Sequence, residues 1–139
     1  MTTIADIMTR SIAVVRRDET LQAAARRMRD MDVGALPVVD GKALAGMVTD
    51  RDITVRGVAE GMVAQESLVS DVMTEDVRCC RDSDSVADVM AQMGGEQVRR
   101  LAVLDANNEF VGIVALGDIA TRQSAHTDAT LREISTPSH

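Results

Sequence analysis

The sequence predicts a mixed α+β fold, close in character to the α/β class, made of two copies of one β-α-β-β-α unit. Three observations carry this expectation. The chain repeats itself: Asp6-Ile7-Met8-Thr9 aligns with Asp71-Val72-Met73-Thr74, and Val38-Val39-Asp40 with Val103-Leu104-Asp105, all at an offset of 65 residues. Gly46-Met47-Val48 and Asp52-Ile53 then fall on Gly112-Ile113-Val114 and Asp118-Ile119 at an offset of 66. A shared offset over most of a chain marks two copies of one structural unit. Within each copy, short apolar runs bounded by turn residues alternate with stretches of helical periodicity. Finally, 139 residues with 45% hydrophobic content form an ordinary globular composition, able to bury about two-thirds of the unfolded chain's surface. One copy alone is marginal in size, so burial of one against the other is the expected source of stability.

Each copy opens with a short segment, Ile4 to Thr9 and Leu68 to Thr74, leading into strand-like runs at Ile12 to Val15 and Val77 to Cys80. A helix follows. Leu21, Ala24, Ala25, Met28 and Met31 recur at helical spacing after Asp18 or Thr20 as cap, and Val86, Val89, Met90 and Met93 after Ser85 with Asp88 three residues on. Gly94-Gly95 is expected to end the second helix. A hairpin comes next: Leu36 to Val39, a turn at Asp40-Gly41, and Leu44 to Val48. Its twin runs Leu101 to Leu104, through a longer turn at Asp105 to Asn108, to Phe110 to Val114, and the extra turn residue explains the change of offset. Final helices are expected from Asp50 to Gly57 and from Asp118 to about Arg122. The expected organisation is a first copy with linker over 1–66, a second over 67–125, and a polar tail over 126–139 that frays, unless Leu131 to Ile134 docks on a partner.

Fifteen basic against 22 acidic residues leave a formal charge of −7, and Phe110 is the sole aromatic residue. A nucleic-acid binder needs a basic face and rings on which bases stack, so that class is excluded. No apolar run approaches the roughly 18 residues of a membrane span, and MTTIADIMTR holds no signal core, so a cytoplasmic protein without membrane attachment is expected. Nine methionines replace aromatic rings as core filler. Cys79 and Cys80 are adjacent, which suits neither a disulfide framework nor a tetrahedral metal site. On a strand one is buried and the other exposed; the functional alternative is a redox switch in a structural stress protein, with Arg78 and Arg81 favouring the thiolate. His126 and His139 lie in the tail, and no Gly-x-Ser-x-Gly or Walker loop exists, so no catalytic residues are assigned.

The main chemical candidate is Thr49-Asp50-Arg51-Asp52, where a strand gives way to a helix. Thr with Asp three residues on is a capping box; the same Asp also suits two hydroxyls of a ligand sugar. In the second copy the stretch is Ala115-Leu116-Gly117-Asp118, where the capping hydroxyl is gone and the carboxylate remains. Arg99 and Arg100 precede the strand from Leu101, opposite Gly34 and Ala35 of the first copy. They are either solvated charges on a strand edge or a phosphate clamp.

The repeated Asp-hydrophobic-Met-Thr, with Gly34-Ala35-Leu36-Pro37-Val38-Val39-Asp40 and Gly46-Met47-Val48-Thr49-Asp50-Arg51-Asp52-Ile53, resembles a tandem pair of cystathionine-beta-synthase (CBS) domains, the Bateman module. The form is similar to the stand-alone bacterial hypoxic-response type, over residues 4–122. The resemblance implies two units packed pseudo-symmetrically, a homodimer, and a regulatory rather than enzymatic role. It implies clefts between units for adenosine compounds (AMP above all, or ATP, NAD or S-adenosylmethionine), with output through dimer conformation or an effector protein. Carried onto this chain, Asp52 with Thr49 and, in the second cleft, Asp118 accept ribose hydroxyls. Arg99 and Arg100 meet phosphate, and Ile12, Ala13, Leu36, Pro37 and Val77 line the adenine slots. Ala115, Gly34-Ala35 and Ala102 depart from the family pattern, so two equivalent sites are not expected, and the Thr49–Asp52 cleft is expected to be the better ribose site.

Overall fold

A computed structural model of the chain describes residues 2–121. They form two compact units, one of residues 11–77 with 108–110, the other of residues 2–10, 78–107 and 111–121. These units differ from the sequence copies: each contains the opening segment of the other copy. The expected tail, including Leu131 to Ile134, lies outside the described residues.

In the unit of residues 11–77, β1 (Val15–Arg16) pairs parallel with β2 (Ala35–Asp40), which pairs antiparallel with β3 (Ala43–Thr49). Gly41 at φ 63° makes the tight turn of the hairpin. Between β1 and β2 runs α2 (Leu21–Met31), capped by Thr20, whose hydroxyl accepts from Ala23 N at 3.1 Å. Leu21, Ala24 and Met28 form its buried face with Val15, Leu36, Val38 and Val48. Ala25 and Met31 fall outside that stripe, Met31 being 56% exposed. After β3 the chain continues as α3 (Asp50–Asp52) and then as a π-helix over Ile53–Val58. Gly57 does not end this helix. It is buried inside it, where a Cβ would stand 3.0 Å from Leu21 Cδ1.

The other unit has the same plan. Its α1 (Ile4–Ile7) comes from the chain's start, and β4 (Cys79–Arg81) lies beside β5 (Arg100–Leu104) and then β6 (Phe110–Ala115). Val15 pairs with Val38 and Cys80 with Val103, both members 65 residues apart. The strands β1 and β4 are shorter and later than the apolar runs at Ile12 and Val77 suggested, because only their last residues join a ladder. Helix α4 (Val86–Glu96), capped by Ser85 on Asp88 N at 3.1 Å, runs through Gly94-Gly95 and ends at Gln97 in the left-handed region, as α2 ends at Asp32. Met90 of the expected core stripe is 42% exposed. Helix α5 spans 116–121, two residues ahead of its expected start at Asp118.

The opening segments close each sheet. In the first unit Thr74 exchanges two backbone hydrogen bonds with Met47, 2.9 and 2.8 Å, and in the second Thr9 exchanges two with Ile113, 2.8 and 3.0 Å. Both crossings pass directly over a glycine. A Cβ on Gly46 would lie 2.5 Å from the Thr74 carbonyl oxygen, and one on Gly112 would lie 2.6 Å from that of Thr9. Asp6 and Asp71 hold the turns leading to these crossings by accepting from Thr3 N and Leu68 N at 3.0 and 2.9 Å, while Met8 and Met73 are buried beside the glycines.

A half-buried ion pair ties α2 to the strand before it. Arg27 donates to both carboxylate oxygens of Glu19 at 3.0 and 3.1 Å and to the Val14 carbonyl at 2.8 Å. Glu19 also accepts from Arg16 N at 2.7 Å. In the second unit Gln92 reaches the Cys79 carbonyl and Asp84 accepts from Arg81 N, the same bonds one repeat later with the charge pair removed.

Two stability predictions follow from this packing. Gly46→Ala and Gly112→Ala should each destabilise by about 1 to 3 kcal/mol, since the backbone crossing must shift. Gly94→Ala, where a Cβ meets nothing within 4 Å, should stabilise by about 0.5 to 1 kcal/mol through helix propensity; thermal melts distinguish the two. The hydrogen bond from Arg27 holds the Glu19 carboxyl below its ordinary value of 4.5. Its stabilisation is therefore complete above that value and lost as pH falls through the lower folded value. Glu19→Gln should lower stability by about 1 kcal/mol at neutral pH and flatten the acid limb below 4.5, measured by denaturant unfolding across pH.

Candidate functional site

Strand β5 and helix α5 build a concavity within one unit. The backbone N–H of Leu116 donates to the Arg99 carbonyl at 2.7 Å, which pins the start of α5 beside the start of β5. Around that bond opens a pocket of about 800 Å³ lined by Arg99, Arg100, Asp118, and the apolar Ala115, Leu116 and Ala120. Both arginines are exposed, and among the described residues neither forms an ion pair. The Asp118 carboxylate is half-buried. Two guanidiniums at one wall suit an oxyanion, a carboxylate at another suits hydroxyls, and the small apolar residues between them suit a flat ring.

The corresponding place in the first unit is built differently. Asp50 N donates to the Gly34 carbonyl at 2.9 Å, the counterpart of the Leu116–Arg99 bond. Thr49 and Asp52 form the full capping box: Asp52 N donates to Thr49 Oγ1 and Thr49 N to Asp52 Oδ2, each at 3.0 Å. The other carboxylate oxygen of Asp52 lies 3.9 Å from Arg56 Nε. Sequence reasoning left open whether this carboxylate caps a helix or awaits a ligand; the cap is formed.

The ten residues singled out in the sequence therefore divide. Arg99, Arg100 and Asp118 come together in one pocket. Thr49 and Asp52 pair with each other in the unit of residues 11–77, which also holds Ile12, Ala13, Leu36, Pro37 and Val77. None of those five lines the Arg99 pocket. Leu36 is 1% exposed and belongs to the hydrophobic core, against which Ala13 also packs, and Pro37 is buried as well. Leu36 is thus occupied by the fold, since β2 is covered by α2. Leu116 and Ala120 are pocket residues that the sequence did not reveal; the shift of the α5 start to residue 116 is what brings them in.

The cysteines sit in β4, Cys80 buried in the core at the position of Val15 and Cys79 half-buried. Burial pushes the Cys80 thiol up to about 12, with Asp84 and Cys79 adding to the shift, and burial also raises Cys79 against the weaker pull of Arg81. Such thiols are protonated at neutral pH and poor nucleophiles. A smaller pocket of about 290 Å³ in the other unit contains Arg16 and Arg17, whose charges are matched by Asp18 and Asp40 on its own rim at 3.4 and 3.9 Å. Among the described residues, no cluster of His, Cys, Asp or Glu is placed to hold a metal ion, and no helix is long and apolar enough to cross a membrane.

Comparison with known proteins agrees with this architecture. The CBS domain profile matches residues 4–57 and again 69–125. The CBS domain-containing protein YhcV of Bacillus subtilis (strain 168) is 42% identical over 129 residues, 93% of this chain and 91% of its own. Among solved structures, Hypoxic Response Protein I, determined with two coordinated zinc ions, superposes with a TM-score of 0.76 at 37% identity, covering 88% of this chain and 99% of that one. CBSX2 in complex with AMP gives a TM-score of 0.76 at 25% identity over 91% and 99% of the two chains. With two successive matches that together span most of its length, this chain belongs to the CBS domain family, as a CBS pair.

Proposed function

We propose that this CBS pair is a regulatory module that binds an adenosine-containing nucleotide, AMP in the first instance, in the pocket of Arg99, Arg100 and Asp118. The observation that carries the proposal is the convergence of two guanidiniums and one carboxylate on a single pocket of about 800 Å³, within the range of small-molecule sites. The arginines take the phosphate, Asp118 accepts the ribose hydroxyls, and the adenine lies against Leu116 and Ala120. The complex of CBSX2 with AMP supports the choice of ligand. Binding acts through its differential affinity for two conformations, which we place in a cytoplasmic homodimer that signals to a separate effector protein. The reading contains no catalytic step.

This places the ribose acceptor in the second copy, in contrast to the sequence-based preference for Thr49 and Asp52. The reason is the capping box, which engages Thr49 Oγ1 and one Asp52 oxygen, while the arginines lie with Asp118.

A circular-dichroism melt against AMP, ADP, ATP, NAD and S-adenosylmethionine tests the proposal. A ligand at about a hundred times its dissociation constant should stabilise by about 2.7 kcal/mol, a rise of several degrees in midpoint. Asp118→Ala should remove about 1.5 to 3 kcal/mol of binding. Thr49→Ala should instead lower apo stability by about 1 kcal/mol through the lost cap and leave ligand affinity unchanged. No shift with any nucleotide at millimolar concentration would refute the reading. The redox alternative predicts that diamide changes the oligomer size and that the change vanishes when Cys79 and Cys80 are both replaced by Ser. With both thiols raised by burial, diamide should instead leave the wild-type oligomer size unchanged, and the thiols should react with iodoacetamide at pH 7 more slowly than free cysteine.

A further inference from the structure

We infer that each chain takes a single anionic ligand, in the pocket of the second copy, and that Asp50 makes the matching place in the first copy reject anions. The inference rests on the nucleotide reading of the Arg99–Arg100–Asp118 pocket and adds to it the stoichiometry and the residue that sets it. The hydrogen bonds Leu116 N to Arg99 O and Asp50 N to Gly34 O are the same bond in the two units, so the residues around them are structural counterparts. Arg99 and Arg100 stand where the first copy has Gly34 and Ala35, and Leu116 stands where it has Asp50.

Three features of the first copy oppose an anion. It has no cation on the strand side, and of its four helix-start residues Asp50 and Asp52 are acidic against Arg51 alone, a net negative place where the second copy is net positive. The Asp50 carboxylate also lies over Gly34, with its Oδ2 3.2 Å from where a Cβ at residue 34 would stand, so it covers the position from which Arg99 reaches in the other copy. The backbone donors are occupied as well, Arg51 N by Asp50 Oδ1 at 2.8 Å and Asp52 N by Thr49 Oγ1. A phosphate arriving there meets a carboxylate at short range and finds these two donors already bonded. In the second copy Ala115, Leu116 and Gly117 carry no such oxygen, and among the described residues neither guanidinium forms an ion pair, Asp118 being the one carboxylate on the pocket's lining.

Isothermal titration of the full chain with AMP tests this, with adenosine as the uncharged control. One AMP per chain is expected, weakened at least tenfold by Arg99→Ala with Arg100→Ala, while the weaker adenosine affinity changes less than twofold. The double variant Gly34→Arg with Asp50→Leu, which copies Arg99 and Leu116 of the second unit into the first, should take a second AMP per chain. Two AMP per wild-type chain would overturn the inference while leaving the nucleotide reading intact. So would one AMP whose binding survives loss of both arginines but not Asp52→Ala. A double variant that melts cooperatively yet still takes a single AMP would overturn the role of Asp50; if it does not fold, the wild-type stoichiometry and the arginine variants decide. No binding of AMP up to millimolar concentration would overturn both the reading and the inference.

Discussion

The structure depends on a pair of backbone crossings, in which Thr74 is bonded to Met47 over Gly46 and Thr9 to Ile113 over Gly112. A three-stranded sheet with one helix beside it leaves apolar surface uncovered, and a segment bonded to its outer strand covers that surface only by close approach. Glycine is the residue that permits a carbonyl oxygen within 2.6 Å of where a Cβ would stand. The repeated Asp-hydrophobic-Met-Thr then has a physical meaning at each position. The Asp bonds back to the start of the turn, the apolar residue and Met enter the core, and the Thr backbone makes the ladder bonds. Because each unit's core is completed by a segment from the other copy, neither copy holds a whole core within its own sequence span.

The two units keep the same skeleton while exchanging the chemistry hung on it. Arg27 and Gln92 reach the same strand carbonyl one repeat apart, and Glu19 and Asp84 accept the same backbone donor. Those substitutions preserve a bond. At the start of β2 and β5 the substitutions preserve only the backbone bond and invert the charge around it. A fold that holds its strands and helix starts by main-chain hydrogen bonds leaves the nearby side chains free to diverge, and that freedom separates an acidic, self-capped position from a cationic pocket.

The cysteines show how a local reading is redirected by burial. Adjacent thiols flanked by Arg78 and Arg81 look activated in the sequence, since nearby cations favour a thiolate. In the fold Cys80 occupies the core position that Val15 holds in the other unit. Desolvation raises both thiols, outweighing the pull of Arg81 on Cys79. Burial is set by strand register, which no neighbour in the sequence reports.

The sequence by itself determined the two-copy organisation, the order of elements in each copy, the cap at Ser85, a first-helix cap at either Asp18 or Thr20, and the residue types from which a site is built. These follow from periodicity, capping chemistry and internal repetition, all local properties of the chain. Helix ends were less legible: Gly94-Gly95 and Gly57 read as stops, yet the helix runs through each, and at Gly57 the missing side chain makes room for Leu21. Only the tertiary structure decided which candidates meet. It took Leu36 into the core and brought Arg99, Arg100 and Asp118 around one pocket. The physical reason is that residues 18 or more positions apart converge through the bond between Leu116 and Arg99, a contact between strand and helix that leaves no trace in local pattern.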